Sequence, residues 1–160
     1  MHISSTRFGE IEVRDDALLE FPDGLIGLPG SGYALIARNP ASPFLWLHST
    51  EHADVAVPVT SPWLFFPEYE VKVSDADAAR IGLASADQAS ILCVVRATPV
   101  PAETTINLVS PIVVHTAERL GRQIINDAHG YAVRHPLFGE VELDDAQPVA
   151  PGIPVEATAI

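Results

Sequence analysis

Apolar and polar residues alternate along most of the chain with the period of two that is typical of β-strands. Between Tyr69 and Val73, for example, each apolar residue is followed by a charged one, as in a strand with one buried face. Turns rich in glycine and proline separate these runs, and the prolines fall mainly at their ends. The pattern predicts about ten strands, at residues 8–13, 17–21, 33–38, 44–48, 54–59, 69–73, 90–97, 104–109, 112–115 and 122–125.

Many short strands joined by tight turns are typical of a closed sheet or of two packed sheets. We therefore predict an all-β fold, an antiparallel β pseudobarrel or sandwich with one or two short helices. The first helix is predicted after Ser74, which can cap a first turn that carries two aspartates, and it ends at Gly82. Residues 85–88 have the spacing of a capping box, which predicts a second helical turn.

The length of 160 residues, of which 48% are hydrophobic, is that of a single domain with one core. We predict a β-barrel-like domain over residues 1–145 and a flexible, acidic, proline-rich tail over residues 146–160. Residues 138–145 (Phe-Gly-Glu-Val-Glu-Leu-Asp-Asp) closely resemble residues 8–16 (Phe-Gly-Glu-Ile-Glu-Val-Arg-Asp-Asp). Chance reuse of a strand pattern is the simpler explanation, and the alternative is an added edge strand with the same alternation.

The chain is strongly acidic, with 21 acidic and 9 basic residues and a net charge of -12. This charge disfavours direct binding to nucleic acid, which depends on Lys and Arg contacts to phosphate. It favours a basic protein as partner, and it would repel any RNA bound to that protein. No apolar run reaches the roughly 20 residues of a membrane helix, and the first residues lack the apolar block of a signal peptide. We therefore expect a cytoplasmic protein without a membrane partner.

The sequence contains no motif that indicates catalysis, a metal or another cofactor. Its one cysteine, Cys93, lies in an apolar run where a thiol usually packs as a small core side chain, and an internal disulfide is impossible. His48 and His52 lie around a predicted strand end, where their spacing does not direct both rings to one metal ion. Glu68 and Glu70 share one strand face, which is typical of solvated charges rather than of a catalytic pair.

Aromatic residues close to prolines carry most of the remaining information. In the predicted strand at residues 44–48, Phe44, Trp46 and His48 lie on one face, while leucines occupy the other. A strand that is apolar on both faces is either enclosed in the core or contributes to a binding surface. Residues 62–69 (Pro-Trp-Leu-Phe-Phe-Pro-Glu-Tyr) repeat this composition. Aromatic anchors of this kind dominate many protein–protein interfaces.

Several segments, in this order and spacing, resemble the family of the bacterial flagellar assembly factor FliW. They are residues 21–24 (Phe-Pro-Asp-Gly), 43–49 (Pro-Phe-Leu-Trp-Leu-His-Ser), 107–115 (Asn-Leu-Val-Ser-Pro-Ile-Val-Val-His) and 131–137 (Tyr-Ala-Val-Arg-His-Pro-Leu), and Arg119, Gly121 and Gln123 also fit. The resemblance covers about residues 6–137. Three features depart from the family pattern. His48 replaces a common glutamine, Ser110 stands where the family has alanine, and the residues after Leu137 extend past the usual end of the family.

The resemblance implies a non-enzymatic protein with a β-pseudobarrel fold, in agreement with the alternation pattern. It also implies a monomer that binds flagellin and the RNA-binding translational regulator CsrA in a partner switch. In such a switch, abundant flagellin occupies the assembly factor; after flagellin export the assembly factor captures CsrA and relieves repression of flagellin translation. The resemblance further implies that the assembly factor inhibits CsrA by binding beside its RNA site rather than by mimicking the RNA.

The predicted contact residues are aromatic, amide and basic side chains, each of which could equally be structural: Phe44, Trp46, Phe66, Tyr69, Asn107, Arg134 and His135. The alternative function is a small β-barrel hydrolase or ligand-binding domain whose pocket is lined by the same aromatics. A deep pocket with convergent histidine and carboxylate groups would favour that alternative. A shallow apolar patch with an acidic rim would favour partner binding.

Overall fold

The computed structural model of the protein describes residues 1–126 and 130–138, and in these ranges a closed β-barrel carries covering elements on its outer face. The strands are His2–Ser5 (β1), Gly9–Glu12 (β2), Leu18–Glu20 (β3), Gly32–Ile36 (β4), Leu45–Ser49 (β5), Ala56–Thr60 (β6), Ala89–Arg96 (β7), Thr105–Ile106 (β8), Ile112–His115 (β9), Leu120–Gln123 (β10) and His135–Pro136 (β11). The predicted domain boundary at residue 145 and the tail over residues 146–160 lie outside the described residues.

Seven strands close the barrel. Antiparallel pairing runs from β3 through β4, β5 and β6 to β7, and continues from β7 to β9 and β10. The ring closes between β10 and β3, which are parallel and share one bridge between Leu120 and Glu20. The all-β pseudobarrel prediction is therefore confirmed, and this short parallel seam is the departure from the predicted antiparallel arrangement.

Alternation places one set of side chains inside the ring and the other set outside. The interior is filled by Leu19, Phe21, Leu25, Tyr33, Leu45, Leu47, Val59, Leu92, Ile112 and Val114. Outside, the β1–β2 hairpin covers β4 and β5, since Ile3 and Val13 pack on Ala34 and Ile36. The outer face of the barrel therefore also has an apolar cover, which is why β5 is apolar on both faces.

Both predicted helical segments are confirmed. The helix α1 spans Asp75–Arg80 and is capped by the side chain of Ser74. A 3-10 turn follows at Ala86–Gln88, where Gln88 Oε1 accepts a hydrogen bond from the amide of Ser85 (3.2 Å), as expected for a capping box. No helix in residues 1–126 and 130–138 has the length and apolar character needed to cross a membrane. Further 3-10 turns are Asp15–Ala17, Pro62–Leu64 and Pro101–Glu103.

The prediction of a strand at residues 69–73 was wrong. Tyr69 is buried and its charged neighbours are exposed, as the alternation requires, but the segment pairs with none of the strands in residues 1–126 and 130–138. Its backbone bonds to a side chain instead, because Asn126 Nδ2 donates to the carbonyl of Glu70 (2.8 Å) and Asn126 Oδ1 accepts from the amide of Lys72 (3.3 Å). One asparagine thus takes the place of a partner strand.

Other strand boundaries also differ from the prediction. The alternation did not predict β1 or β11, which are four and two residues long. The strand predicted at residues 104–109 shortens to β8, because Asn107 Oδ1 accepts hydrogen bonds from the amides of Val109 and Ser110 (3.0 Å each). This side-chain turn ends the ladder before the buried Ser110.

Phe21 covers the seam between β3 and β10. Its side chain is fully buried and packs on Gly121, where a Cβ atom would lie 2.3 Å from Cε1 of the phenyl ring. Beside it, the amide of Glu20 donates to the carbonyl of Arg119 (3.0 Å). The ring fits against the seam because residue 121 has no side chain.

Two further contacts from β10 hold the loop that follows Phe21. Arg122 Nη1 pairs with Asp23 Oδ2 (2.5 Å), and Gln123 Oε1 accepts a hydrogen bond from the amide of Ile26 (2.8 Å). Gly121, Arg122 and Gln123 of β10 therefore contact Phe21 or the loop that follows it. These contacts join two segments that carry the family resemblance, although they are far apart in the sequence.

Asp23 is at the centre of a chain of ion pairs. It accepts hydrogen bonds from Arg80 at the end of α1 and from Arg122, and Arg122 Nε also pairs with Asp77 Oδ1 (2.7 Å). The hydrogen bond from Arg80, with the positive charges of both arginines, holds the pKa of Asp23 below its ordinary value. The ion pairs thus connect the loop, the helix and the barrel.

We expect Gly121→Ala to lower the free energy of unfolding by about 3 kcal/mol, because the new methyl group overlaps the Phe21 ring. Urea unfolding followed by circular dichroism measures the loss. The double variant Phe21→Leu/Gly121→Ala should lose less than the sum of the two single variants, since leucine leaves room for the methyl group. Additive losses would show that the ring and the glycine are not coupled.

We expect Asp23→Asn to make the free energy of unfolding less dependent on pH in the acid range. A carboxylate with a lowered pKa stabilises the fold above its unfolded-state pKa of roughly 3.9, and this contribution is lost as the pH falls through the folded-state value. Urea midpoints measured between about pH 6 and about pH 3 test this expectation. The exposed Asp15→Asn serves as the control, and a pH slope for Asp23→Asn equal to that of the parent would contradict it.

Candidate partner-binding surface

A cluster of aromatic side chains lies on the outer face of the barrel, over β7 and β8. Its buried centre consists of Tyr69, Cys93, Val95, Ile106, Leu108 and Leu137. Around this centre pack the partly buried side chains of Phe44, Phe65, Phe66, Val71, Tyr131 and Phe138. We refer to these residues together as the aromatic cluster.

Ring contacts fix the exposed part of the aromatic cluster. Phe44 stacks on Phe65 with their ring centroids 5.9 Å apart, and Phe138 approaches Phe65 edge-on at 6.1 Å. Phe66 makes an edge contact of 4.9 Å with His135 of β11. Each such pair contributes roughly 0.5–1.5 kcal/mol beyond the burial of area, so these rings are ordered before any partner binds.

An open groove of about 380 Å³ lies between the aromatic cluster and the β1–β2 hairpin. Trp46 of β5, Pro58 of β6 and Val95 of β7 line it along the barrel surface, and Phe44 and Phe138 line it on the side of the aromatic cluster. The rest of the lining comes from segments 38–42 and 97–104. We call this feature the aromatic groove.

Trp46 lies where the aromatic groove meets the hairpin. Its ring is half-buried, Phe8 contacts it edge-on at 5.4 Å, and the guanidinium of Arg7 lies 4.6 Å from the ring centroid. The guanidinium of Arg38 lies over the ring of Phe8 at 4.8 Å. Cation–π contacts therefore hold two arginines beside an apolar groove. The charged residue in the lining of the groove is Arg38, so the groove does not have the acidic rim that would favour partner binding.

The structure brings together five of the predicted contact residues in one region. Phe44 and Trp46 line the aromatic groove. Phe66 and His135 touch each other at the other side of the aromatic cluster, and Arg134 is exposed next to His135. These five side chains lie around the aromatic cluster and combine apolar and basic groups.

Tyr69 and Asn107, the other two predicted contact residues, both make hydrogen bonds within the fold. Tyr69 is 4% exposed, its hydroxyl donates to the carbonyl of Leu108 (2.7 Å), and burial raises its pKa. The side-chain carbonyl of Asn107 is engaged by the amides of Val109 and Ser110. A partner would not reach the buried ring of Tyr69, whereas Asn107 is partly exposed and stays a predicted contact residue.

His48, which we predicted on the same strand face as Phe44 and Trp46, is fully buried under the hairpin. Its Nδ1 lies 2.7 Å from the carbonyl of Ser49, so this nitrogen carries the proton, and its Nε2 lies 2.8 Å from the hydroxyl of Ser5. The ring therefore fastens the hairpin to β5. Within the described residues, no group of three or more His, Cys, Asp or Glu side chains could hold a metal ion.

A second groove, of about 650 Å³, lies between α1 and β7, with Trp63 and Ile91 among its lining residues. It contains one carboxylate, Asp75, and neither this groove nor the aromatic groove is lined by a histidine. Cys93 is fully buried, and burial raises the pKa of its thiol to about 12. These two grooves thus lack the convergent groups that the hydrolase alternative requires.

Sequence reasoning missed three residues at the aromatic groove: Arg7, Arg38 and Phe138. The two arginines become neighbours of aromatic rings only when the hairpin folds onto β5. The local sequence pattern therefore does not predict these contacts. Phe138 did carry a signal, since it begins the segment that resembles residues 8–16. Phe8 and Phe138 lie at opposite sides of the same groove region.

Comparison with known proteins identifies relatives over almost the whole described chain. The family model described as FliW protein matches residues 2–137. The flagellar assembly factor FliW of Natranaerobius thermophilus is 37% identical over 145 residues, which are 88% of this chain and 94% of the relative. That of Desulfitobacterium hafniense (strain Y51) is 34% identical over 146 residues, or 91% of this chain and 96% of the relative. A crystal structure of the flagellar assembly factor FliW superposes with a TM-score of 0.80 and 26% identity, covering 88% of this chain and 99% of the other.

Proposed function

The chain belongs to the FliW family of flagellar assembly factors, and from this premise we propose that it binds flagellin and, when free of flagellin, binds and antagonises CsrA. In this proposal the protein is a non-enzymatic, cytoplasmic monomer, and its capture of CsrA relieves repression of flagellin translation. The observation that carries the proposal is the family match over residues 2–137. The aromatic groove supports it by offering an ordered apolar surface.

The charge of the chain supports the CsrA half of the proposal. A net charge of -12 attracts a basic RNA-binding protein and speeds the encounter at low salt. Once the acidic chain is bound beside the RNA site, it weakens the contacts between that protein and the phosphates of RNA. In this mechanism the chain inhibits RNA binding by CsrA without having to mimic the RNA.

The aromatic groove supports the flagellin half. Phe44 and Trp46 offer exposed ring surface that an apolar segment of a partner can cover, and Phe66, Arg134 and His135 extend this surface. Ordered aromatic side chains at the centre of a patch are the residues that supply most binding energy in protein–protein interfaces. We therefore propose these five residues as flagellin contacts.

Calorimetric titration tests both halves. We expect the protein to bind the cognate CsrA and a peptide from the C-terminus of flagellin. Raising the salt from about 50 mM to about 300 mM should weaken the binding to CsrA about tenfold, since opposite net charges attract less when screened. Binding to neither molecule would refute the proposal, and binding to CsrA without a salt effect would refute its electrostatic part.

We expect Trp46→Ala to weaken binding of the flagellin peptide by about 2 kcal/mol, or about 30-fold, because an aromatic side chain that lines the groove is lost. The matched control is Trp63→Ala, which removes the other tryptophan, from the second groove. Urea midpoints of both variants report whether either fold is damaged. Equal affinities of the two variants for the peptide would move the flagellin contact away from the aromatic groove.

A further inference from the structure

The aromatic groove is a gap in the cover of the barrel. On one side, the β1–β2 hairpin covers the outer face of β4 and β5 and reaches Trp46 through Phe8. On the other side, the aromatic cluster covers β7 and β8 and reaches the groove through Phe44 and Phe138. Between them, Pro58 of β6 lines the groove and is only partly covered by the described residues. The lining is almost entirely apolar, which favours an occupant with apolar side chains.

The described chain ends at this gap. Phe138 is its last residue, it lines the aromatic groove, and its ring is held edge-on against Phe65. The sequence continues for 22 residues beyond it. An extended chain rises about 3.3 Å per residue, so residues 139–145 alone span roughly 23 Å and can cross the groove.

We propose that residues 139–145 dock in the aromatic groove as an extended segment, with Val141 and Leu143 against the barrel. The segment Gly-Glu-Val-Glu-Leu-Asp-Asp alternates acidic and apolar residues, so an extended conformation places both apolar side chains on one face. The proposed function assigns the same groove to flagellin, so a flagellin segment that binds at Phe44 and Trp46 would have to displace residues 139–145.

The structure of the related segment near the N-terminus supports this assignment. Residues 8–13 have the same order of residue types as residues 138–143. There, Phe8 packs on Trp46, Ile11 and Val13 face the apolar side of the hairpin, and the glutamates of β2 are exposed. Residues 8–13 thus cover one side of Trp46, and the similar residues 138–143 begin at the groove on its other side.

Charge favours an acidic occupant at this position. Arg38 is the charged residue among those that line the groove, and Arg7 lies over the adjoining face of Trp46. Residues 140–145 carry four carboxylates, at Glu140, Glu142, Asp144 and Asp145. On a chain of net charge -12, a site beside two arginines is one of the few where these carboxylates meet opposite charge.

Acrylamide quenching of Trp46 fluorescence tests the proposal in the full-length chain. The parent for the experiment is Trp63→Phe, which leaves Trp46 as the one tryptophan. We expect Val141→Ser/Leu143→Ser to raise the quenching constant about twofold, because the segment no longer shields the indole from the quencher. The matched control, Val149→Ser/Val155→Ser, changes two valines farther along the same tail and should leave the constant unchanged.

A synthetic peptide of residues 138–145 provides the second measurement. Added to the Val141→Ser/Leu143→Ser protein, it should restore protection of Trp46, and the scrambled peptide should not. Equal quenching constants for the parent and both tail variants would overturn the proposal. Protection that is lost when the parent protein is diluted would also overturn it, because the occupant would then be the tail of a second copy.

Discussion

Closure of the barrel depends on a phenyl ring that lies against a glycine. The strands β3 and β10 share one bridge, so the backbone alone joins them weakly, and Phe21 covers the junction because Gly121 has no side chain to displace it. The next residues of β10 bind the loop after Phe21 through Asp23 and the amide of Ile26. The parallel seam is thereby supported by packing, an ion pair and a hydrogen bond at successive positions.

The closed ring separates the buried apolar side chains of the interior from those on the outer face. Interior side chains such as Tyr33 and Leu47 are completely buried and serve the fold, whereas the outer face is divided among the hairpin, α1 and the aromatic cluster. Apolar surface remains open where two of these covers fail to meet. The aromatic groove is such a place, and its rings are held by one another rather than by a partner. This arrangement lets a small domain present apolar surface without loosening its core.

The alternation of residue types predicted the barrel because it reports which side chains are buried. It identified β9 with its observed bounds, yet it failed at residues 69–73, where the side chains alternate but the backbone bonds to Asn126. A side-chain partner of this kind has no signature in the local sequence. The composition of the strand at residues 44–48 was enough to predict Phe44 and Trp46 as surface candidates. The burial of His48 could not be predicted in this way. That burial depends on the β1–β2 hairpin, whose first strand the pattern did not reveal.

The seam also determines when the protein can finish folding. Glu20 and Leu120 meet across about one hundred residues of sequence, whereas the sheet from β3 to β7 pairs neighbours along the chain. During synthesis the early strands can assemble as an open sheet. The packing of Phe21 against Gly121 cannot form until β10 has left the ribosome. Contacts between such distant residues form slowly, and an open sheet with an apolar face is prone to aggregate. The nascent chain is therefore most vulnerable just before its last barrel strand appears.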